Sequence, residues 1–413
     1  MDGTAWDAEQ TAPSVIDLCS GCGGLSLGVE MAGFHAPVAF EIDDCAADTY
    51  EANHPGTRMI RGDIRGIGSW AQVAADAGCR IDGVIGGCPC QGFALCGRRD
   101  PKDPRNSLFM DFARCVSEIR PAFFVMENVP GILSMRTASG DSVSEVILSV
   151  FGASGYRVAP RIVNAAECGV PQARKRIFFV GFRNDVPTLG DWDAFLPHAP
   201  AVTVDMAIFD LPPIASGEGS EEQGYAMPPQ NHYQEWARTG STSVRNHISM
   251  RHTRRLVDRF KAILPGQSVA DVPLEHSAVK RGDPKVKSGK IYGQNNMRVH
   301  GDRPSPTVAA SFQSNFIHPR LDRNFTAREG ARLQSFPDWY VFLGKRTKMS
   351  WEKGLSQYQQ IGNAVPPLLA KSVAIAVLRA LGIRGGSTGE HDAPVHRVTP
   401  PREQSHPAVT VSV

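Results

Sequence analysis

Between residues 14 and 182 the chain changes its hydrophobic period repeatedly, and this narrows the possible folds more than any other feature. Short apolar runs at Ser14–Leu18, Pro37–Glu41, Gly83–Gly86, Phe123–Glu127 and Arg176–Phe182 read as strands. Longer stretches between them, Leu25–Ala32, Asp43–Asn53 and Ser107–Glu118, read as helices. Strands of four to seven residues are roughly the length a buried sheet needs, and alternation with helices implies parallel crossovers. The expected fold class is therefore α/β, a doubly wound, Rossmann-like sheet covered by helices on both faces.

The pattern fades after residue 187. Pro and Gly become frequent up to about residue 300, and so long an irregular stretch does not fit as one loop inside a compact domain. A second, smaller and irregular domain is expected over 187–340. The first domain then occupies 14–186 and regains the chain over 341–384, through a helix near Ala364–Leu381 with Pro366 and Pro367 in its first turn. Residues 1–13 and 385–413 lack a hydrophobic period and are expected to be disordered.

Charge is nearly balanced overall, 44 basic against 42 acidic side chains, which excludes a histone-like polycation. Locally it is not balanced: residues 245–303 hold 13 Lys/Arg and 5 Asp/Glu, an excess of eight positives. Such a segment is either a solvated surface or a phosphate-binding face. Nine cysteines in 413 residues are too few for a disulfide scaffold. No basic-then-apolar leader and no apolar run of about 18 residues is evident, so a cytoplasmic protein with reduced thiols is expected.

Several strand ends carry polar residues, and in this architecture strand ends face the ligand. After the first strand comes Asp17-Leu18-Cys19-Ser20-Gly21-Cys22-Gly23-Gly24, a glycine turn entering a helix, suited to a nucleotide-type ligand. Glu41 ends the second strand, where an acid meets ribose hydroxyls, and a third strand-end acid, Asp63 in Arg61-Gly62-Asp63-Ile64, could accept from an adenine amino group. Each acid alone is more often a helix cap than a ligand contact. Cys19-x-x-Cys22 also fits a redox pair or half a zinc site, with Cys88 and Cys90 as the other half, but that leaves the glycines unexplained.

Cys90, in Gly86-Gly87-Cys88-Pro89-Cys90-Gln91-Gly92-Phe93, lies at the same end of the sheet and is a candidate nucleophile; its bland reading is a small buried hydrophobe. Arg98 and Arg99 follow in a loop that could close over a substrate. Glu127, after four apolar residues, is placed to have a raised pKa and donate a proton. Arg174 and Arg176, two apart in extended chain, would share a face and hold a phosphate or a base carbonyl. A thiol nucleophile, a proton-donating Glu and paired Arg suit one reaction on a pyrimidine. The thiolate adds at C6, Glu127 holds N3, Arg176 holds O2, and activated C5 takes a methyl group.

In their order these motifs resemble the DNA (cytosine-5) methyltransferases, the S-adenosylmethionine-dependent family of bacterial modification enzymes. The resemblance spans residues 14–384. It includes Arg105-Asn106-Ser107-Leu108, Met126–Val129, Gln172–Arg176, Arg303–Thr307, Thr326–Pro337 and Gln360-Ile361-Gly362-Asn363-Ala364-Val365-Pro366. It implies a cofactor site built from Asp17, Cys19, Gly21, Gly23, Gly24, Leu25, Glu41, Ile42, Asp63, Ile64, Pro89, Leu108, Asn363 and Val365. It implies catalysis by Cys90, Glu127, Arg174 and Arg176 on a cytosine flipped out of double-stranded DNA. Arg98, Arg99, Arg303 and Thr307 would contact DNA, and 187–300 would read the sequence. A monomer without bound metal, beside a separately acting restriction endonuclease, is the expected arrangement.

One position departs from the family, where an aromatic residue usually stands at Cys19 and packs on adenine; Cys19→Phe should bind cofactor as well or better. Three alternatives accompany this reading. A related branch methylates transfer RNA with the same catalytic motifs. A silent DNA-binding module would lack turnover. A nicotinamide oxidoreductase would leave Cys90 and Glu127 without a role.

Overall fold

The protein is described from a computed structural model, covering residues 12–88, 108–137, 140–273, 275–277, 279–280, 283–287, 295–349 and 351–383. Pro89, Cys90, Arg98 and Arg99, and the segments 1–11 and 384–413, lie outside the described residues.

Seven strands form one sheet: β1 (Ser14–Leu18), β2 (His35–Glu41), β3 (Arg58–Arg61), β4 (Gly83–Gly86), β5 (Phe123–Asn128), β6 (Tyr156–Asn164) and β7 (Lys175–Arg183). Their order is β3-β2-β1-β4-β5-β7-β6. The first five are parallel, as expected, with the reversal of order at β1 and β4 that opens a ligand crevice. The far side differs from a purely parallel sheet: β7 runs antiparallel to both β5 and β6. A short return from β6 lets β7 insert between β5 and β6 without a crossover helix.

Adjacent residues on the central strands point to opposite faces, and both faces are apolar. Val15, Phe123 and Phe178 join one core with α1 (Gly24–Met31) and the C-terminal helix. Their neighbours Ile16, Phe124 and Phe179 join the other, with α3 (Trp70–Asp76), α4 (Leu108–Ile119) and α5 (Val143–Ala153). Gly181 must lack a side chain, because a Cβ there would run into the Phe124 ring. Helix α2 (Asp44–Asn53) follows β2 and starts where Asp43 accepts from the Ala46 amide at 3.0 Å.

Beyond residue 184 the described elements are short: α6 (Val204–Ile208), the antiparallel pair β8 (Gly219–Gln223) and β9 (Val244–Ile248), α7 (His232–Arg238), α8 (Arg254–Lys261) and α9 (Phe312–Asn315). Most of them pack around α10 (Ala327–Leu333), α11 (Gln357–Asn363) and the far face of α1 in a third core. Helix α10 has a Thr326/Glu329 capping box, and three buried arginines lie on it or just before it. Arg323 pairs with Glu329 at 2.7 Å and Arg332 with Asp338 at 2.6 Å, while Arg328 donates to the Pro337 and Tyr340 carbonyls. The motif Thr326–Pro337 is thus the polar hub of this region.

Helix α12 (Pro367–Ala380) closes the chain against α1, so tightly that a Cβ on Gly28 would collide with Ala370. The stretch Gln357–Ala380 is apolar and long enough to cross a membrane by composition, a feature that no unbroken apolar run announces. Its most apolar 18 residues are 72% buried, as expected of α11 and α12 packed in the core.

Candidate active site and cofactor turn

The turn after β1 is held in shape by its neighbour strand. Cys19 (φ 55), Gly21 (φ 56) and Gly23 (φ 91) all lie in the left-handed region. The Ser20 amide donates to the Phe40 carbonyl at 2.9 Å, and the Gly21 amide to Glu41 Oε2 at 2.7 Å. Glu41 also accepts from the Ile42 and Asp43 amides at 3.0 and 2.8 Å. Burial is the largest influence on this carboxyl and pushes its pKa up against those amides. Gly23 has no room for a side chain, since a Cβ would come 2.5 Å from His54 Nε2 and the Tyr340 hydroxyl. A Cβ on Gly21 would meet only open space.

Beneath the turn, Asp17 is fully buried. Its Oδ2 accepts from the Ser26 hydroxyl at 2.6 Å, and Ser26 accepts from the Tyr50 hydroxyl at 2.7 Å. Its Oδ1 is buried with no hydrogen-bond partner among the described residues. Burial, reinforced by Glu41 and Glu30, pushes this carboxyl up to about 8.

Ile42 is 66% exposed beside Glu41, whereas Ile64 is buried and Leu108 half-buried in the core with α4. Asp63 does not stand free for a ligand. It caps the 3-10 turn Ile64–Gly66 and pairs with Arg65, the helix-cap role that a strand-end acid readily takes.

The C-terminal segment returns to this turn. The Val365 carbonyl fills the space where a Gly24 side chain would be, and Val365 Cγ2 lies 4.0 Å from where a Gly87 Cβ would be. Leu25 and Val365 share one core, while Asn363 is exposed at the end of α11.

At the ends of β5 and β7, Arg176 Nε donates to Glu127 Oε1 at 2.9 Å, both side chains nearly buried. Burial raises the Glu127 pKa even against Arg176 and Arg174, so this carboxyl holds a proton more readily than an exposed one. Asn128 donates to the Cys88 carbonyl at 3.2 Å and fixes the chain two residues before Cys90.

Arg174 departs from the expected pocket role. Its guanidinium donates to the carbonyls of Val308 (2.8 Å), Gly362 (3.0 Å) and Ala364 (3.3 Å). The face-sharing argument fails because β7 begins at Lys175, and the Arg174 amide bends back to the Gln172 carbonyl. Gln172 and Gln334 extend the same clasp, bonded to each other at 2.6 Å, with Gln334 donating to the Ile361 carbonyl.

Of the expected DNA contacts, Arg303 is exposed and pairs with Asp302 at 3.0 Å; Thr307 donates to the Ala173 carbonyl at 3.2 Å. Within the basic segment Arg298 is spent on structure, donating to the Ile263, Phe260 and His318 carbonyls. Arg251, Arg254 and Arg255 are exposed.

The C-5 cytosine-specific DNA methylase family model matches residues 14–379. The chain belongs to this family. It is 55% identical over 368 residues to the type II methyltransferase M.DdeI of Desulfomicrobium norvegicum, covering 87% of each chain. It is 36% identical over 368 residues to the type II methyltransferase M1.HphI of Haemophilus parahaemolyticus, covering 88% of this chain and 86% of that one. A solved, prophage-encoded E. coli structure described as a DNA modification methyltransferase superposes with a TM-score of 0.72 at 28% identity, covering 90% of this chain and all of that one.

The chain is thus a DNA cytosine-5 methyltransferase that uses S-adenosylmethionine. The turn fits that cofactor: Gly21 leaves an open cradle, and Asp17 Oδ1 is a buried polar atom with no partner among the described residues. Sequence reasoning missed the Ser26–Tyr50 relay behind Asp17 and the clasp role of Arg174 and Gln334. Nothing in residue spacing signals either, since the partners that fix these side chains lie far away in the chain.

Proposed function

We propose that this enzyme methylates C5 of one cytosine within a specific double-stranded DNA sequence, through a base flipped out of the helix and a transient Cys90–C6 bond. The observation that carries this reading is the buried Glu127–Arg176 pair at 2.9 Å, next to the Asn128 that anchors the entry to Cys90. Glu127 in its protonated form hydrogen-bonds N3, and Arg176 orients Glu127 and faces O2. As the Cys90 thiolate adds to C6, the electron pair moves toward C5, and the charge arising at N3 is met by the Glu127 proton. The cofactor supplies the electrophilic methyl group. Loss of the C5 proton then expels the thiolate and restores the ring.

Asp17, Gly21, Glu41, Ile42 and Val365 hold the cofactor, with Arg174 acting from behind through Gly362 and Ala364. Residues 187–340 serve target recognition, and exposed Arg251, Arg254 and Arg255 suit phosphate contacts. The enzyme acts as a cytoplasmic monomer alongside a restriction endonuclease of the same specificity. Transfer RNA as substrate is not favoured, because the matched family is described as a cytosine-specific DNA methylase and the relatives above are type II methyltransferases.

Bisulfite sequencing of DNA from cells expressing the chain tests this reading. One recurrent sequence should resist conversion, and Cys90→Ser should abolish that protection. Fully converted DNA from cells making the intact enzyme would overturn it.

A further inference from the structure

Cys19 and Cys88 bring two thiols into contact at the base of the cofactor turn, with 3.1 Å between their sulfur atoms. Cys19 follows Leu18 directly and Cys88 lies two residues past Gly86, the partner of Leu18 in the β1–β4 ladder, so the two cysteines are offset by one residue across neighbouring chains. Neighbouring strands lie about 4.8 Å apart, within the roughly 4.4–6.8 Å Cα separation that a disulfide spans. Both backbones are held. Cys19 is fixed in the left-handed region by the Ser20 and Gly21 amide bonds, and Cys88 by the Asn128 side chain on its carbonyl. Cys19 is partly exposed and Cys88 is 2% exposed, so a small oxidant reaches Cys19 first.

We propose that Cys19 and Cys88 are a reversible oxidation site whose closure to a disulfide shuts the S-adenosylmethionine pocket. The proposal rests on the assignment of the Asp17–Gly24 turn to the cofactor. Hydrogen peroxide is the oxidant. The Cys19 sulfur attacks one peroxide oxygen, the O–O bond breaks, and a sulfenic acid and one water result. The Cys88 thiol then displaces the hydroxyl from Cys19, releasing a second water and leaving the S–S bond. Closing 3.1 Å to about 2.05 Å draws the first residue of the turn toward β4 and ties it to the chain that leads into Cys90. Linkage requires the converse: bound cofactor resists closure by the factor by which closure weakens binding.

The test uses the full chain carrying Cys90→Ser, so that the proposed nucleophile takes no part. After peroxide, non-reducing peptide mapping should join the Cys19 and Cys88 peptides, and dithiothreitol should separate them. Calorimetry should show S-adenosylmethionine binding weakened at least tenfold in the oxidised protein and restored on reduction. Adding Cys88→Ser should remove the peroxide effect. Absence of the Cys19–Cys88 linkage, or unchanged affinity once it is complete, overturns the proposal. Failure of the reduced protein to bind cofactor overturns the turn's assignment and with it the gating, while the peptide map still reads the thiol pair separately.

Discussion

Asp17 is the group whose replacement reads most directly on the physics of the turn. Its carboxyl is fully buried with one oxygen unpartnered among the described residues, and burial pushes it up to about 8. In the unfolded chain an aspartate titrates near 3.9. Between these values the native state holds a proton that the unfolded state has lost, so this group's contribution to stability declines as pH rises and levels off above the native value. The slope is about 1.4 kcal/mol per pH unit, which gives a loss of about 3 kcal/mol between pH 6 and pH 9, most of it below pH 8. An asparagine in its place keeps the shape and can accept from Ser26, but it does not titrate. Urea unfolding of the wild type and Asp17→Asn at pH 6, 7.5 and 9 isolates this one group, because the other titrations cancel in the difference. The stability of Asp17→Asn relative to wild type should rise by about 3 kcal/mol across that range. A difference that stays constant with pH would show that Asp17 ionises normally and refute the burial argument.

Three further substitutions probe the site. Glu127→Gln should lower kcat by about 10²–10⁴-fold, the usual worth of a positioned proton donor, with DNA binding by fluorescence anisotropy changed only a few-fold; a larger loss of binding than of turnover would contradict its role. Arg174→Gln should destabilise the fold by on the order of 3 kcal/mol, as buried carbonyls lose a charged donor, and weaken cofactor binding more than DNA binding. If Arg174 instead faced the cytosine, its loss would lower kcat and leave cofactor affinity intact. Cys19→Phe should bind S-adenosylmethionine as tightly or up to about tenfold more tightly by ring stacking, and should be insensitive to peroxide; clearly weaker binding in calorimetry would count against it.

The central strands were the most legible part of the chain. Ser14–Leu18 and Gly83–Gly86 stand where their apolar runs put them, because strands buried on both faces carry little else. The two edges were less legible, β3 inferred only from the acid that follows it and β6 not at all. β3, with Arg58 and Arg61 at its ends, and β6, with Arg157, Pro160 and Arg161, are partly solvated and lack an apolar period. Missing β6 also hid the reversal of β7, since a strand's direction depends on its partner and not on its own residues.

At the site, Asp17, Glu41, Glu127 and Arg176 could be picked out because polar groups at the ends of apolar runs are conspicuous. Arg174 looked equivalent to Arg176 by spacing, yet the chain bends before β7 begins and sends its guanidinium elsewhere. The Cys19–Cys88 contact was hinted at only by grouping Cys19 and Cys22 with Cys88 and Cys90: the residues are 69 apart and meet because β4 lies beside β1.

The packing of α12 on α1 bears on how the protein is made. The wall behind the cofactor turn is built from residues 24–31 and 365–380, so during synthesis the first part waits for the last. Until α12 leaves the ribosome, the apolar surface that Val15 shares with Leu25 and Val29 lacks its cover from Leu369, Val373 and Val377. A nascent chain therefore carries every strand of the central sheet while the turn after β1 still lacks its wall from α12. A premature stop before residue 365 removes that cover and leaves this face of β1 and α1 exposed.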